Sequence, residues 1–209
     1  MSYEYWENVY SAENFKCPDY DGWLNKYQSI WENAANIIDL GCGCGVNSMF
    51  LRKHNIKTIV CDFSEIALTI AKSALPQAEF MCFDMTDGLP FEDCFSDLII
   101  ADLSLHYFSK DQTQSILSDI NRVLQKTGHL LCRVNSIKEF EMNEDKENSI
   151  EVEHHLFESR KGIKRFFDHV DIDAFFCDWS IIHSAEIVTN KYANIKYAWE
   201  ICAGKSVHS

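Results

Sequence analysis

Hydrophobic and polar positions along the chain follow two periods. Short apolar runs, typical of buried strands, are separated by segments in which apolar residues recur about every three or four positions, as on one face of a helix. The strand-like runs are the residues before Gly41, Lys57–Cys61, Glu79–Phe83, Phe95–Asp102 and His129–Val134, and the helix-like segments between them include Ser64–Ser73 and Lys110–Gln125. Strands that alternate with helices in this way predict an α/β domain built on a parallel sheet.

Both ends of the chain depart from this alternation. Two amphipathic helices, Ser2–Asn14 and Asp19–Asn33, are predicted before the first strand. At the other end, Trp179–Val188 and Ile195–Ala203 are predicted strands joined by the short link Thr189–Asn194, so we expect an antiparallel hairpin. One strand should therefore run against an otherwise parallel sheet.

A polar and acidic stretch, Ile137–Ile150, interrupts the pattern before that hairpin and indicates an excursion or a flap, helical in part. Glu151–Phe157 and Ile163–Phe167 are predicted to form two strands, and Asp168–Cys177 a short helix. Lys164 and the three residues after it either line a binding site or pack this hairpin. No composition shift marks a second domain.

The segment E-V-E-H-H brings Glu151, Glu153, His154 and His155 close in sequence. Imidazole and carboxylate groups are zinc ligands. Neighbouring residues on a strand point to opposite faces, so we do not expect these four side chains to converge on one ion. The sequence therefore predicts no metal site.

The stretch I-I-D-L-G-C-G-C-G-V-N-S-M-F-L joins the first strand to a helix that opens at Val46. Gly41, Gly43 and Gly45 occupy alternate positions, and glycine allows both positive φ and the close approach of a ligand to the backbone. A strand, a glycine turn and a helix N-terminus at the carboxyl edge of a parallel sheet form a nucleotide-like binding site. The spacing G-x-G-x-G differs from the G-x-G-x-x-G of dinucleotide-binding proteins.

With Asp39 shortly before the first glycine, the pattern D-x-G-x-G-x-G resembles motif I of the class I S-adenosylmethionine-dependent methyltransferases. The resemblance covers nearly the whole chain and implies a Rossmann-like, doubly wound, mostly parallel seven-stranded sheet with the last strand antiparallel. The 209 residues suit one such domain. We expect a helical cap over residues 1–35 and a core over residues 36–209, with the polar excursion near 137–167. The implied cofactor is S-adenosyl-L-methionine, with S-adenosyl-L-homocysteine as its product.

The resemblance also assigns acidic residues at the next two strand ends. Asp62 matches motif II, in which the carboxylate accepts hydrogen bonds from the ribose hydroxyls, and Phe63 would lie against the adenine. Asp84 and Met85 match motif III, in which the acidic side chain takes the adenine amino group and the next N–H meets the ring. The alternative for both carboxylates is an ordinary turn residue.

The strand ending at Asp102 should reach the sulfonium, where Asp102 or the carbonyl of Ala101 would hold the amino group of the cofactor. No N-P-P-Y or D-P-P-Y follows, which argues against the methyltransferases of base and glutamine amino groups. His106 follows instead, and its neutral imidazole can accept a proton from the acceptor or simply pack in the turn. His106 is the predicted catalytic residue, and the predicted cofactor-binding set is Asp39, Gly41, Cys42, Gly43, Gly45, Asp62, Phe63, Asp84, Met85, Ala101 and Asp102.

Four residues are candidates for binding the acceptor. Arg133 and Asn135 end the next strand and share one of its faces, because side chains alternate along a strand. Arg133 can bind an anionic group of the acceptor or pair with an acidic residue of the cap. Tyr10 and Trp23 of the cap can touch the ligand, with ordinary packing as the alternative.

Charge narrows the classes of partner. The chain has 19 basic and 32 acidic side chains, a formal net charge of −13, so its surface repels phosphate backbones and nucleic acid is not expected as a partner. A small neutral or cationic acceptor suits this charge better, unless a local basic pocket reverses the argument. We expect no membrane partner, because no apolar run is long enough to span a bilayer. The amino end lacks the pattern of a signal peptide.

The nine cysteines are odd in number and include no C-x-x-C, which favours reduced, buried thiols in a cytoplasmic protein. Cys42 and Cys44 occupy the variable positions of the glycine stretch. Two ligands alone make a poor zinc site, so we expect both to be small loop residues.

Together these patterns favour an enzyme that transfers a methyl group to a small molecule by in-line displacement, mainly by aligning the two reactants. A non-catalytic module that binds the same cofactor is one alternative, and a nicotinamide-dependent oxidoreductase is a weaker one. Oxygen, nitrogen, sulfur and carbon all stay open as the methylated atom.

Overall fold

The structure, a computed structural model, describes residues 3–142, 144–160, 162–190 and 195–205. The α-helices in these ranges are α1 Tyr3–Ser11, α2 Gln28–Trp31, α3 Val46–Lys53, α4 Glu65–Ala74, α5 Lys110–Val123, α6 Ile137–Glu141 and α7 His169–Phe175. The strands are β1 Ile37–Leu40, β2 Ile59–Asp62, β3 Glu79–Cys82, β4 Ser96–Asp102, β5 Leu124–Asn135, β6 Ile150–Glu153, β7 Leu156–Ser159, β8 Gly162–Arg165, β9 Trp179–Thr189 and β10 Lys196–Lys205. Short 3-10 helices cover Trp23–Tyr27, Met85–Asp87 and Glu144–Asn148. Within the described ranges, no helix is both long and apolar enough to cross a membrane.

Seven strands form the main sheet, in the order β3-β2-β1-β4-β5-β10-β9. β1 pairs in parallel with β2 and β4, and the parallel pairs β2/β3 and β4/β5 extend the sheet on either side. β10 lies antiparallel between β5 and β9. The predicted seven-stranded, mostly parallel sheet with a reversed last strand is confirmed.

The strand order reverses direction between β1 and β4. The chain moves from β1 outward to β2 and β3, and then returns to the other side of β1 as β4. The loops after β1 and β4 therefore diverge and leave a crevice at the carboxyl ends of the strands, the place where open α/β sheets bind ligands.

Both faces of the main sheet are covered. Leu98 and Ile100 of β4 belong to a cluster with Trp31 of the cap, while Ile99 and Ala101 belong to a larger cluster with side chains of α5 and α7. These four strand residues are fully buried. Alternate burial on two covered faces explains why β4 reads as one continuous apolar run.

Polar side chains begin the helices where the sequence predicts. Ser64 caps α4 by accepting a 3.0 Å hydrogen bond from the N–H of Ala67. Asp168 and Asp171 form a reciprocal capping box at the start of α7. Such caps satisfy N–H groups that have no partner inside the helix, so they define where each helix can start.

The cap differs from its prediction in part. α1 lies within the predicted Ser2–Asn14, of which Ser2 is outside the described residues. The prediction of one long helix over Asp19–Asn33 was wrong, because a 3-10 helix and the short α2 replace it. Gly22, with φ of 84°, begins the 3-10 helix in a left-handed conformation, which an α-helix through this position does not permit.

β6, β7 and β8 form a separate antiparallel sheet, called the small sheet below. The predicted strand Glu151–Phe157 is divided in two, because His154 and His155 form a turn in which His155 has φ of 53°. α6 and a 3-10 helix occupy the polar excursion. Lys161, in the predicted hairpin turn, and residues 191–194, in the predicted link, lie outside the described residues.

Arg165 joins the small sheet to the main one. Its guanidinium is 2% exposed and donates to Glu153 at 2.7 Å and to the His154 carbonyl at 2.8 Å. It also lies over the ring of Phe175, 5.4 Å from its centre. The Arg165 N–H donates to the His106 carbonyl at 2.8 Å, so the end of β8 is held beside the loop that follows β4.

We expect Arg165→Met to lower the free energy of unfolding by about 2 kcal/mol, because Glu153 and the buried carbonyl lose a charged donor while the apolar stem is kept. Denaturant titration measures this change. Arg160→Met, at an exposed position of the same sheet, is the control and should stay within about 0.5 kcal/mol of the parent. Equal effects of the two substitutions would contradict the assignment.

Candidate functional site

A cavity of about 810 Å³ occupies the crevice at the carboxyl ends of β1, β2 and β4. This volume is in the range of small-molecule sites. The predicted site residues that line it are Tyr10, Gly41, Cys42, Gly43, Asp62, Phe63, Asp84, Met85, Asp102 and His106. The predicted residues that do not line it are Trp23, Asp39, Gly45, Ala101, Arg133 and Asn135.

The segment Gly41–Gly45, called the glycine loop below, approaches its neighbours too closely for side chains. Its three glycines have φ of 69°, 55° and 81°. A Cβ added at Gly41 would lie 2.4 Å from Cβ of Ser104, and one added at Gly43 would lie 2.8 Å from the hydroxyl oxygen of Tyr10. The loop therefore presents bare backbone to the cavity, as a ligand lying on it requires.

Asp62, at the end of β2, holds the glycine loop in place. Its carboxylate accepts hydrogen bonds from the N–H of Gly43 at 2.8 Å and of Ser64 at 3.0 Å. Burial raises the pKa of Asp62, and the hydrogen bonds from Ser64 and Gly43 oppose that rise. Because a carboxylate has about four acceptor positions, Asp62 can hold the loop and still accept from ligand hydroxyls.

Asp39 and Gly45 fix the glycine loop to the strand and the helix on either side of it. Asp39 accepts from the N–H of Ser48 at 3.2 Å and from its hydroxyl at 2.6 Å, which ties β1 to the first turn of α3. An anionic group is favourable at a helix N-terminus. Gly45 is the N-cap of α3, and a Cβ added there would lie 3.1 Å from Cβ of Ala71. The structure thus gives both residues a supporting position rather than the predicted contact with cofactor.

One end of the cavity combines apolar faces with a carboxylate. Phe63 and Met85 line it, and Tyr3 contacts the Phe63 ring edge-on with 5.9 Å between the ring centres. Asp84 lies beside them and accepts from the N–H and hydroxyl of Thr86 at 2.9 and 2.8 Å. An apolar slot with an acceptor at its edge suits a flat heterocycle that carries an amino group.

Asp102, at the end of β4, is fixed by Arg133 of the neighbouring strand. Nε and a terminal nitrogen of Arg133 donate to the two carboxylate oxygens at 2.7 and 3.0 Å, the bidentate arrangement of strong ion pairs. The remaining nitrogen donates to Asp21 at 2.6 Å. Burial works against the charge of Arg133, but Asp102 and Asp21 raise its pKa above the ordinary value.

Arg133 therefore takes the second of its two predicted alternatives, pairing with an acidic residue of the cap. A buried guanidinium needs counter-charge, and Asp21 and Asp102 supply it. Trp23 also contacts Arg133, with 4.7 Å between the guanidinium and the centre of the Trp23 ring. The indole N–H of Trp23 donates to Asn47 at 2.9 Å. The structure brings neither Arg133 nor Trp23 to the cavity as an acceptor contact.

Asn135 and Ala101 are also buried away from the cavity wall. The Asn135 side chain is 1% exposed, and neither of its amide atoms has a hydrogen-bond partner among the described residues. The side chain of Ala101 points into the main apolar cluster, which leaves only its backbone to face a ligand.

The chain after Asp102 turns sharply over the cavity. Leu103 has φ of 58°, a left-handed conformation that costs a residue with a side chain about 1–2 kcal/mol. Its N–H donates to the Arg133 carbonyl at 2.9 Å, and the hydroxyl of Ser104 donates to the Leu40 carbonyl at 2.9 Å. These bonds hold a strained turn that places His106 in the cavity wall.

His106 is 1% exposed, and its Nδ1 is buried with no hydrogen-bond partner among the described residues. Burial lowers the pKa of His106 well below its ordinary value, and the charges of Lys196 and Lys164 act in the same direction. The imidazole is therefore neutral at neutral pH. It can accept a hydrogen bond in the cavity, but it is a weak base.

The cap covers the cavity with aromatic side chains. Glu7 of α1 accepts from the hydroxyl of Ser64 at 2.5 Å, which docks α1 on the start of α4. Tyr10 stacks on Trp6 with 5.6 Å between ring centres, and Trp6 meets Tyr107 edge-on at 5.5 Å. This arrangement excludes water from one side of the site, so the predicted contact of Tyr10 with ligand keeps its geometric basis.

A disulfide joins the cap to the glycine loop. Cys17 pairs with Cys44, and their Cα atoms are 6.1 Å apart. The expectation that all nine cysteines are reduced was wrong for this pair, while the other seven are free. The pairing depends on the cap folding back over the loop, which neither the number nor the spacing of the cysteines reveals.

Several residues of the cavity wall are not among the predicted site residues. Lys196, Asn190, Tyr107 and Lys16 line the cavity together with Lys164. For Lys196, the one sequence feature that could have indicated a place in the cavity wall is its position at the start of a strand whose later residues are mostly buried. For the others, the sequence holds no motif, because they come from separate segments that meet only in the folded chain.

His154 and His155 converge, contrary to the prediction from strand alternation. They lie in the turn between β6 and β7, and both rings approach Asp171 of α7. Nδ1 of His155 is 2.6 Å from the Asp171 carboxylate, and Nε2 of His154 is 3.5 Å from it. Their possible ligand atoms, together with that of Asp171, lie within 4.8 Å of one another, and neither histidine lines the cavity.

Comparison with known proteins finds matches to one continuous part of the chain. A family model described as "Methyltransferase domain" matches residues 37–128, which include the glycine loop, Asp62, Asp102 and His106. An uncharacterized methyltransferase of Synechocystis is 34% identical over 92 residues, or 44% of this chain and 43% of the relative. The chain thus spans less than half the length of that relative.

Solved structures resemble the chain over most of its length. An S-adenosylmethionine-dependent methyltransferase of Methanosarcina mazei matches 90% of this chain and 99% of its own with a TM-score of 0.73 and 19% identity. The 1,6-didemethyltoxoflavin N1-methyltransferase of Burkholderia thailandensis was solved with bound 1,6-didemethyltoxoflavin and S-adenosylhomocysteine. It matches 87% of this chain and 76% of its own, with a TM-score of 0.66 and 12% identity. At these identities the likeness establishes the fold.

We expect Gly41→Ala to lower the free energy of unfolding more than Gly22→Ala does. Both glycines have positive φ, so both substitutions share a backbone cost of about 1–2 kcal/mol. Only Gly41 adds a collision with Ser104, worth about 1–3 kcal/mol of overpacking, since the nearest atom to a Cβ at Gly22 is 3.4 Å away. Denaturant titration of the two variants measures the difference, and equal losses would show that the loop has room to relax.

Proposed function

We infer, from the match of residues 37–128 to a methyltransferase domain and the fold that the chain shares with S-adenosylmethionine-dependent methyltransferases, that this protein transfers a methyl group from S-adenosylmethionine to a small molecule. The observation that carries the proposal is the glycine loop, which is hydrogen-bonded to Asp62 and lines a cavity of about 810 Å³. The loop, the carboxylate and the cavity all lie at the point where the strand order reverses.

The residues present fit this cofactor. Gly41 and Gly43 line the cavity, and the absence of side chains there lets the loop pack closely against Ser104 and Tyr10 while its backbone stays available to a ligand. Asp62 would accept from the ribose hydroxyls, Asp84 and Phe63 would hold the adenine, and Asp102 would face the amino group. S-adenosylmethionine supplies a methyl group on a sulfonium that needs no further activation.

The chain's own contribution to the reaction is alignment and exclusion of water. Arg133 fixes the Asp102 carboxylate through two hydrogen bonds, so this anion does not have to reorganise when a cationic ligand binds. The aromatic side chains of the cap cover the reacting groups. His106 is proposed to orient the acceptor through its free ring nitrogen, because its low pKa makes it a poor proton acceptor.

The remaining assignments are proposals of the same kind. The chain would act as a single domain, with residues 1–35 as a cap and residues 36–209 as the core. The net charge of −13 argues against nucleic acid as the acceptor. The seven free cysteines support a cytoplasmic location, while the Cys17–Cys44 pair is the observation that argues against it.

Thermal denaturation with added ligands tests the proposal against its rivals. S-adenosylhomocysteine should raise the melting temperature, because a ligand that binds only the native state stabilises it by mass action. NADH should have no effect. Stabilisation by NADH alone would favour an oxidoreductase, and binding of S-adenosylhomocysteine without transfer to any acceptor would favour a non-catalytic module.

We expect Asp62→Ala to weaken the binding of S-adenosylhomocysteine by about 1–3 kcal/mol, the usual cost of leaving hydrogen-bonding groups unpaired. Isothermal titration calorimetry measures the change. Glu79→Ala, an exposed carboxylate on the neighbouring strand, is the control for lost charge and should bind like the parent. Asp62→Asn keeps an acceptor for the Gly43 N–H and separates loss of the ribose contact from collapse of the loop. Unchanged affinity in Asp62→Ala would reject the ribose role.

A further inference from the structure

The later part of the chain contributes a basic wall to the cavity. Lys164 of β8 and Lys196 of β10 both line the cavity, as does His106. The charges of both lysines lower the pKa of His106, and that of Lys164 lowers the pKa of Lys196, as expected for three side chains that line one cavity. The Lys196 side chain is 17% exposed. Two half-buried lysines in one cavity wall contrast with the net charge of −13 that the chain carries.

The anions near Lys196 do not fully compensate it. Glu139 comes to 3.8 Å of its ammonium, longer than a hydrogen bond, and another Glu139 oxygen accepts from the Tyr197 N–H at 2.9 Å. Asp102 is also in range, but its carboxylate is held by Arg133. Burial lowers the pKa of Lys196 to about 8, Glu139 and Asp102 oppose the change, and Lys164 and Arg133 add to it. An anion that entered here would supply the missing counter-charge.

A buried amide lies on the same face of the sheet as Lys196. Asn135 pairs across the strands with Ala198, which is two residues along β10 from Lys196, so the three share a face. Diagonal neighbours of this kind are roughly 7–8 Å apart, within reach of a long side chain. Neither amide atom of Asn135 has a hydrogen-bond partner among the described residues. Buried polar groups are rarely left unpaired, but Asn135 does not line the cavity, so the contacts proposed below are those of the two lysines.

We propose that the acceptor is a small carboxylic acid, that Lys164 and Lys196 bind its carboxylate, and that the methyl group goes to a carboxylate oxygen. The proposal rests on the proposed function and specifies its acceptor. It replaces the expectation of a neutral or cationic acceptor, because Lys164 and Lys196 bring two cations to one part of the cavity wall although the chain as a whole is acidic.

The chemistry of a carboxylate matches the weak base in the site. A carboxylic acid with an ordinary pKa of about 4 is already ionised at neutral pH, so no proton has to be removed. A carboxylate oxygen forms the new bond to the methyl carbon, the bond from carbon to sulfur breaks, and its electron pair stays on sulfur. The products are a methyl ester and an uncharged thioether. His106, neutral and buried, then has an orienting role that its low pKa permits.

The first test compares acids with their amides as probes. Benzoate with benzamide and succinate with succinamide are titrated into the protein by calorimetry, with and without saturating S-adenosylhomocysteine. We expect at least one acid to bind about tenfold or more tightly than its amide, the ratio that corresponds to one charge-assisted hydrogen bond. Absence of an acid preference in both pairs would overturn the proposal.

Substitutions of the two lysines test whether they cause the preference for the acid over its amide. Lys196→Gln and Lys164→Gln should each remove most of the acid preference and leave the affinity for S-adenosylhomocysteine unchanged. Lys196→Arg keeps the charge and should restore part of the preference, even if Lys196→Gln folds poorly. Lys126→Gln removes an exposed lysine outside the cavity and is the matched control for net charge. A preference that survives in both Gln variants would overturn the assignment.

Product analysis tests the site of methylation. The preferred acid is incubated with S-adenosylmethionine carrying a tritiated methyl group, and the product is treated with mild alkali. A methyl ester releases volatile tritiated methanol, as we expect, whereas a base-stable product or no transfer to that acid would reject the ester. Failure of S-adenosylhomocysteine to bind would instead reject the proposed function, and the acid preference without cofactor is measured independently of that result.

Discussion

The site depends on the close approach of the glycine loop to two neighbouring strand ends. Gly41 lies against Ser104 after β4, and the Gly43 N–H is held by Asp62 after β2. Both glycines have positive φ, and an added Cβ would collide with Ser104 at Gly41 and with the Tyr10 hydroxyl at Gly43, so a side chain at either position would displace a neighbour. These contacts join the ends of β1, β2 and β4. The crevice where the strand order reverses is therefore a cavity with the glycine loop as one fixed wall.

A buried charge network joins this cavity to the rest of the fold. Asp102 ends β4 inside the cavity, Arg133 of β5 binds both of its oxygens, and Asp21 of the cap binds the remaining nitrogen. Burying ions is costly unless each is paired and hydrogen-bonded, and here all three are. The same network therefore positions a carboxylate in the site and attaches the cap to the core. Trp6, Tyr10 and Phe15 of the cap line the cavity, and the Tyr10 hydroxyl lies next to Gly43 of the glycine loop.

The two halves of the cavity come from different parts of the chain. The methyltransferase domain match, residues 37–128, contains the glycine loop and the acidic strand ends. The basic wall comes from β8 and β10, which lie after it. Arg165 holds β8 beside the loop that carries His106, and this is how Lys164 reaches the cavity. The acidic strand ends and the basic wall thus come from separate segments of the chain that meet at one cavity.

The sequence by itself determined the parallel core, the glycine loop and the acidic strand ends at Asp62, Asp84 and Asp102. These features depend on local periodicity and on which residues allow positive φ, and both are visible within a few neighbouring positions. Tertiary structure alone decided that Arg133 turns to Asp21 rather than to a ligand, that Cys17 meets Cys44, that His154 and His155 converge on Asp171, and that Lys164 and Lys196 share a wall. Each of these pairings joins segments that are distant in sequence or reoriented by a turn. Their energy depends on burial and counter-charge, which exist only after the chain has folded.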